Sequence, residues 1–337
     1  MYQVGMYGGS FNPLHMGHVD CILKAAAMCK ELYIVLSIGY KRDEIDERIR
    51  YRWIYQLTKH IGNVTILTIT DDAETKAGYV REQWMKDAED VKRQVGKKID
   101  VVFCGSDYDE SSFWNVCYPE SELVIFPRNG ISSTEIRKNP YSHWDWIPQV
   151  ARPYYTKKVL LMGIESTGKS TLTINLAHAF NAEYIDEAGR EISERSGTDT
   201  MMLPEDYTEI LLQHKLNEMK ALEKGNRLLF IDTDALVTRF FMDFLDGDDP
   251  RIEANRVLAD AIDALNRYDL ILYLEPDVEF FLEGGRSAEI RDNREQYNNQ
   301  IKDLLRSHGR AFVSISGTYA ERYEKAVREV KKLIGEQ

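Results

Sequence analysis

The chain has 337 residues, 43% of them hydrophobic and 11% aromatic, with 21 glycines and 9 prolines, which excludes a disordered, collagen-like or low-complexity protein and leaves enough apolar material for two cores. A formal net charge of −12 repels nucleic acid at long range, so any polyanionic ligand must be held by local cations or backbone N–H groups. Four cysteines without CxxC spacing, no apolar run near the roughly 18 residues of a membrane span and no leader signature at the start point to a reduced, cytoplasmic protein with no membrane partner.

Short apolar strands alternate with amphipathic helical patterns along the chain. The first strand, Gln3–Tyr7, runs into a glycine turn and a helix over Val19–Lys30. Strands at Leu32–Ser37, Val64–Ile69, Asp100–Cys104 and Glu122–Phe126 follow, with helices at Ile45–Ile61 and Val80–Val95 between them. Pro148 and Pro153 then argue against a continuous helix. A new strand, Val159–Met162, opens a second series. It contains helices at Ser170–Phe180, Glu205–Lys224 and Gln296–His308 and strands at Leu228–Ile231, Leu270–Leu274 and Ala311–Ile315, with one more short strand ending at Tyr184-Ile185. This alternation predicts an α/β protein with two parallel-sheet domains. The boundary falls between 150 and 157, giving domains 1–152 and 153–337.

After the first strand comes Gly8-Gly9-Ser10-Phe11-Asn12-Pro13-Leu14-His15-Met16-Gly17-His18. His15 and His18, three residues apart where a loop enters a helix, can face one ligand, at the strand end where α/β sheets bind ligands. Much later, Ile131-Ser132-Ser133-Thr134-Glu135-Ile136-Arg137 opens a helix with hydroxyls and unpaired N–H groups. Alone, that segment is an N-cap with a surface arginine. Paired with HxGH it reads as a triphosphate clamp, with Gly9, Ser10 and Phe11 in the turn beneath it.

In the second domain, Gly163-Ile164-Glu165-Ser166-Thr167-Gly168-Lys169-Ser170 stands between a strand and a helix that begins at Thr171. The spacing GxxxxGKS curls the backbone so that its N–H groups cradle phosphates, while Lys169 reaches the outer phosphates and Ser170 ligates Mg²⁺. Asp232, ending an apolar strand, is the expected second Mg²⁺ ligand. Asp234 reads either as a catalytic acid or as the cap of the helix after it. Asp186 and Glu187 follow a strand end, where an acid can accept a hydroxyl proton and Arg190 can hold a substrate. Gly284-Gly285-Arg286, then Arg291 and Arg294, read as a mobile lid bringing cations onto the phosphoryl group; the bland alternative is a solvated charged helix.

The second half resembles the small nucleoside and nucleoside-monophosphate kinases. The strings GSFNPLHMGH and ISSTEIR resemble the nicotinamide-mononucleotide adenylyltransferases of the HxGH nucleotidyltransferase superfamily. The two halves in this order, with GIESTGKS, EAGRE, FIDTD and GGRS in the second, resemble the bifunctional adenylyltransferase/ribosylnicotinamide kinase proteins of NAD salvage. The resemblance implies a Rossmann-like HxGH domain followed by a P-loop kinase, using ATP with Mg²⁺, nicotinamide riboside, nicotinamide mononucleotide and NAD. It implies that His15 and His18 stabilise the adenylyl-transfer transition state, that Ser132, Ser133 and Arg137 hold phosphates, and that Tyr79 or Trp84 stacks on the nicotinamide ring. In the kinase it implies Gly163, Glu165, Ser166, Thr167, Gly168, Lys169, Ser170, Thr171 and Arg291 around ATP. Asp186 and Arg190 then fall on the acceptor, Glu187 or Asp234 is the base, and Arg286 acts on the transferring group.

Some members of that family carry an N-terminal helix-turn-helix repressor domain. Here the first strand begins at about residue 3, so that role is not expected. The rival reading is a bifunctional coenzyme A synthase, whose phosphopantetheine transferase usually has Thr at the position of His15 and lacks ISSTxIR. A nucleotide sensor without turnover would need no lid arginine. The sequence leaves open a homo-oligomer and the choice between nicotinamide and nicotinic acid.

Overall fold

The computed structural model describes residues 1–42, 44–72, 80–105, 113–127, 130–196, 202–245, 249–281 and 288–336. The chain divides into two compact units, Met1–Arg152 and Pro153–Gln337.

The first unit runs β1 (Tyr2–Gly9), α1 (Met16–Met28), β2 (Cys29–Gly39), α2 (Glu47–Thr58), β3 (Val64–Asp71), α3 (Arg81–Val95), β4 (Val101–Gly105), α4 (Phe113–Cys117), β5 (Glu122–Phe126) and α5 (Ser133–Lys138). Its five strands are all parallel, in the order β3-β2-β1-β4-β5. The inner strand β4 is apolar because both its faces are covered: Val101, Val102, Phe103 and Cys104 are all buried. The chain leaves β1 toward β2 and later returns to β4 on the other side. That reversal opens a crevice at the carboxyl end of β1.

The second unit runs β6 (Lys157–Met162), α6 (Lys169–Ala179), β7 (Glu183–Ile185), α7 (Gly189–Ser196), α8 (Pro204–Glu223), β8 (Leu228–Asp232), α9 (Ala235–Leu245), α10 (Pro250–Leu265), β9 (Leu270–Leu274), α11 (Ala288–Asp292), α12 (Arg294–Ser307), β10 (Val313–Ile315) and α13 (Tyr319–Ile334). The parallel order is β10-β9-β6-β8-β7. Leu160 and Met162 of β6 pack with Ile231 and Tyr273 from the neighbouring strands and with Ile301 and Leu305 of α12. Among the described residues no helix is long and apolar enough to cross a membrane.

One boundary departs from the sequence reading in a way that concerns the site. Helix α1 starts at Met16, not Val19, and ends at Met28 because Cys29 and Lys30 already belong to β2. The early start places His15 at the N-cap, where histidine is not a favoured residue.

Candidate active sites

In the first unit, β1 delivers Gly8 and Gly9 to the carboxyl edge of the sheet. The turn after it passes through Phe11, a non-glycine residue at φ 47°. Complete burial of the Phe11 ring, packed edge-on against His18 at 5.0 Å between centroids, offsets that strain. The Phe11 side chain therefore belongs to the core, which leaves its backbone to face a ligand.

His15 and His18 cap α1 reciprocally. The His15 Nδ1 accepts from the His18 backbone N–H at 3.3 Å, and the His18 Nδ1 accepts from the His15 backbone N–H at 3.4 Å. The two rings stack 3.7 Å apart at 14°. With each Nδ1 acting as acceptor, the proton of each neutral ring sits on Nε2. Two imidazoles are thereby locked side by side in one tautomer, each with an N–H donor, at the positive end of a helix.

The second motif is tied to the same turn. The Arg137 guanidinium donates to the Asn12 carbonyl and to Thr134 Oγ1, and Ser133 Oγ donates to the Pro13 carbonyl at 3.3 Å. Ser132 takes the N-cap position of α5 with extended backbone and makes no side-chain cap bond. The structure thus brings Gly9–His18 and Ser132–Arg137 together across more than a hundred residues of chain.

Beside Gly8, Gly9 and Ser10 lies a cavity of about 270 Å³, walled by Trp84, Trp114 and Tyr118 and carrying Asp71, Asp87 and Arg42. Trp84 meets Trp114 edge-on at 4.8 Å. Neither histidine lines this cavity. Tyr79 lies outside the described residues. Beneath the cavity, Arg50 is 1% exposed. It donates to the carbonyls of Ser10 at 2.6 Å and Ile45 at 2.7 Å and pairs with Glu44 at 3.0 Å. Arg42 bridges Glu44 and Asp71 at 2.9 and 2.6 Å. Sequence reasoning missed this network because KRDEIDERIR reads as a solvated charged stretch.

In the second unit, the loop between β6 and α6 needs its glycines. A Cβ on Gly163, at φ 151°, would lie 2.6 Å from the Leu274 carbonyl oxygen, and Gly168 is left-handed at φ 84°. Lys169 Nζ donates to the Ile164 carbonyl at 3.2 Å, curling back along the loop. Gly163, Glu165, Ser166, Gly168, Lys169, Ser170 and Thr171 border a cavity of about 500 Å³, and Glu187, Arg190 and Asp234 border it too. Thr167 is buried below the loop, its hydroxyl bonded to the Ile164 carbonyl at 2.9 Å. Arg190 Nη2 donates to Ser170 Oγ at 2.7 Å and lies 3.6 Å from the Glu187 carboxylate.

The three acids differ sharply in environment. Asp232 is buried, and among the described residues neither carboxylate oxygen has a hydrogen-bond partner in good geometry. Burial first, and the charge of Glu187 second, push its pKa up to about 6 against the pull of Lys169, the nearby Ser170 hydroxyl and Arg190. Asp234 accepts from the Leu236 N–H at 3.0 Å and so caps α9. Burial, then the charge of Asp263, push it to about 7. Glu187 remains partly exposed at the cavity wall.

Two expected residues stand apart from the cavity. Asp186 is exposed beyond the end of β7 and does not border it. Arg291 is exposed on α11, where it pairs with Asp292 at 2.7 Å. Arg294, one turn further on, does reach the phosphate loop. Arg286 lies outside the described residues. His214 was not foreseen. It borders the cavity from α8 with a buried Nε2 that has no partner among the described residues, and burial pulls its pKa down.

Both halves of the chain resemble known proteins. Residues 6–139 match the cytidylyltransferase-like family, and residues 158–322 match an AAA domain. The chain is 28% identical over 351 residues to the trifunctional NAD biosynthesis/regulator protein NadR of Escherichia coli K12, covering 99% of this chain and 84% of that protein. A phosphopantetheine adenylyltransferase of Mycoplasma capricolum is 30% identical over 136 residues, but these cover only 36% of this chain. A solved structure of NadR in complex with NR superposes with a TM-score of 0.81 at 24% identity, covering 99% of this chain and 97% of that one, and so shares the fold. Both halves are matched in order along nearly the whole chain, and the protein is a homologue of the NadR proteins, joining a cytidylyltransferase-like half to an AAA-type half.

Proposed function

We propose that the protein carries out two consecutive ATP-dependent steps of NAD salvage. In the C-terminal site the ribosyl 5′-hydroxyl of nicotinamide riboside attacks the γ-phosphorus of ATP and ADP leaves. In the N-terminal site the phosphate of the resulting mononucleotide attacks the α-phosphorus of a second ATP. That step forms NAD and releases pyrophosphate. The observation that carries the reading is the presence, in one chain, of the stacked His15–His18 pair joined to Arg137 and of the Gly163–Ser170 loop beside Asp232.

Neither step needs a covalent enzyme intermediate, so catalysis is positioning and charge stabilisation. His15, His18, Ser132, Ser133 and Arg137 hold the triphosphate. The cavity beside Gly9 and Ser10 takes the mononucleotide, with the nicotinamide ring against Trp84. In the kinase site Lys169 and the loop amides hold the β- and γ-phosphates, Arg190 turns to the acceptor, and Glu187 takes the hydroxyl proton.

Mg²⁺ would be held by Asp232 and Ser170. A buried carboxylate with two unpartnered oxygens fits a cation. Among the described residues no three His, Cys, Asp or Glu side chains are arranged to hold a metal, so the ion's remaining ligands would be phosphate and water oxygens. An ion held there would offset negative charge on the phosphates.

A thermal-shift panel tests the reading against the coenzyme A alternative. Nicotinamide riboside and nicotinamide mononucleotide should raise the melting temperature, and phosphopantetheine should not. Stabilisation by phosphopantetheine alone overturns the assignment.

A further inference from the structure

Four consecutive carbonyls of the phosphate loop are each met by a side-chain donor. The Ile164 carbonyl accepts from Thr167 Oγ1 at 2.9 Å and from Lys169 Nζ at 3.2 Å. Those of Glu165 and Ser166 accept from Arg294 Nη2 at 3.3 and 3.1 Å. That of Thr167 accepts from Arg322 Nη1 at 2.8 Å. The loop's own residues meet the first of these; two distant arginines meet the other three.

Both arginines are anchored on the segment that follows β9. Arg294 Nη1 donates to the carbonyls of Pro276 at 3.2 Å and Val278 at 2.5 Å, and its guanidinium lies over the Phe280 ring at 5.2 Å. Arg322 is fully buried. It donates to the carbonyls of Gly317 at 2.8 Å and Glu275 at 2.7 Å and pairs with Asp277. Each planar fork therefore ties the phosphate loop to that segment, a geometry a lysine cannot copy.

The loop needs such support. Ser166 is held at φ 61°, a conformation that a residue with a Cβ adopts rarely and keeps only when its surroundings impose it. A peptide unit that flipped here would turn a carbonyl oxygen toward the cavity and repel a phosphate. With the carbonyls drawn outward, the N–H groups of the same peptides are set for an anion before it arrives.

We propose that Arg294 and Arg322 are positioning residues for the C-terminal nucleotide site, presetting the phosphate loop by capturing the carbonyls of Glu165, Ser166 and Thr167. The proposal rests on the reading of that loop as an ATP site and adds residues that touch the loop rather than the nucleotide. The bland alternative is that both arginines only stabilise the fold.

The test measures binding of the non-hydrolysable ATP analogue AMP-PNP to the full chain, following the component that Lys169→Ala removes. Riboside phosphorylation and adenylyl transfer are measured on the same samples. In Arg294→Lys and Arg294→Gln, AMP-PNP affinity at this site should fall about 10–100-fold, the scale on which misplaced binding groups act. The KM for nicotinamide riboside should change by no more than about twofold, and adenylyl transfer should be unaffected, since uniform damage would move them all. Arg322→Lys should behave likewise. Unchanged AMP-PNP affinity in folded Arg294→Lys overturns the proposal, as does a parallel rise in the riboside KM. Loss of the second unit's melting transition in Arg294→Lys also overturns it, because the residue then acts on the fold. A wild-type protein that binds AMP-PNP at the Lys169-dependent site but phosphorylates no riboside would sink the kinase assignment and leave this role standing.

Discussion

Gly17 lies directly against the His15 imidazole: a Cβ at position 17 would sit 3.1 Å from the ring's Nδ1 and Cε1 atoms. The glycine of HxGH thus leaves room for the His15 ring, which folds back over the first turn of α1 to meet the His18 N–H, and a Cβ there would push that ring by a few tenths of an ångström. Alanine is the better helix former by about 1 kcal/mol, so Gly17→Ala should leave the melting temperature unchanged or raised. The displaced ring should still cost adenylyl transfer on the order of tenfold or more. Riboside phosphorylation should be untouched. Full adenylyl transfer in this variant would show that the stacked geometry does not matter.

The two activities should separate cleanly. Lys169→Ala removes the cation that curls along the phosphate loop and should abolish riboside phosphorylation while sparing adenylyl transfer from supplied mononucleotide. His18→Ala should do the reverse. Loss of one preorganised charge stabiliser costs on the order of 10²–10³-fold. A single substitution that silences both reactions in a folded protein contradicts two independent sites.

Asp232 predicts a conflict between stability and function. Its folded pKa of about 6 lies above the ordinary 3.8, so the native state binds the proton more tightly than the unfolded chain. The stability this contributes is complete below the unfolded pKa and is lost as the pH rises through the folded one. At about pH 7.5 the buried carboxylate is charged and unpartnered, and Asp232→Asn should stabilise the ligand-free protein by about 1–3 kcal/mol. The gain should vanish below about pH 4, where both states are protonated. Riboside phosphorylation should be lost. Denaturant melts at several pH values check this, and a destabilised variant at pH 7.5 would contradict it.

Glu187 and Asp234 compete for the role of base. Asp234 is committed to capping α9 and, near pH 7, is only partly ionised. Glu187 stands at the cavity wall beside Arg190. Glu187→Gln should lower kcat for riboside phosphorylation on the order of 10²-fold with AMP-PNP binding preserved, or less where the transition state is dissociative. Near wild-type turnover would pass the role to Asp234.

What could be read from the sequence was what local chemistry dictates. The strands Val101–Gly105 and Leu228–Asp232 are near-continuous apolar runs because parallel sheets bury both faces. Gly163, Gly168, Lys169 and Ser170 are contiguous, so their spacing carries their geometry. The residues that were missed act through tertiary contacts. Nothing in an amphipathic helical pattern marks Arg50, His214 or Arg322 as buried, since charged and polar side chains usually face water. That Arg294, one turn of chain beyond Arg291, meets the Glu165 and Ser166 carbonyls is visible only in the packing. Helix α1 begins three residues before the expected Val19 because its cap is an imidazole, which no capping preference marks.

The central claim, two consecutive ATP-dependent steps in one chain, is tested most directly by a time course. Purified protein is given ATP, Mg²⁺ and nicotinamide riboside, and the products are separated by chromatography. The account predicts nicotinamide mononucleotide first, then NAD with an equal amount of pyrophosphate, and no product from riboside in Lys169→Ala. Neither mononucleotide nor NAD from the wild-type protein would contradict it.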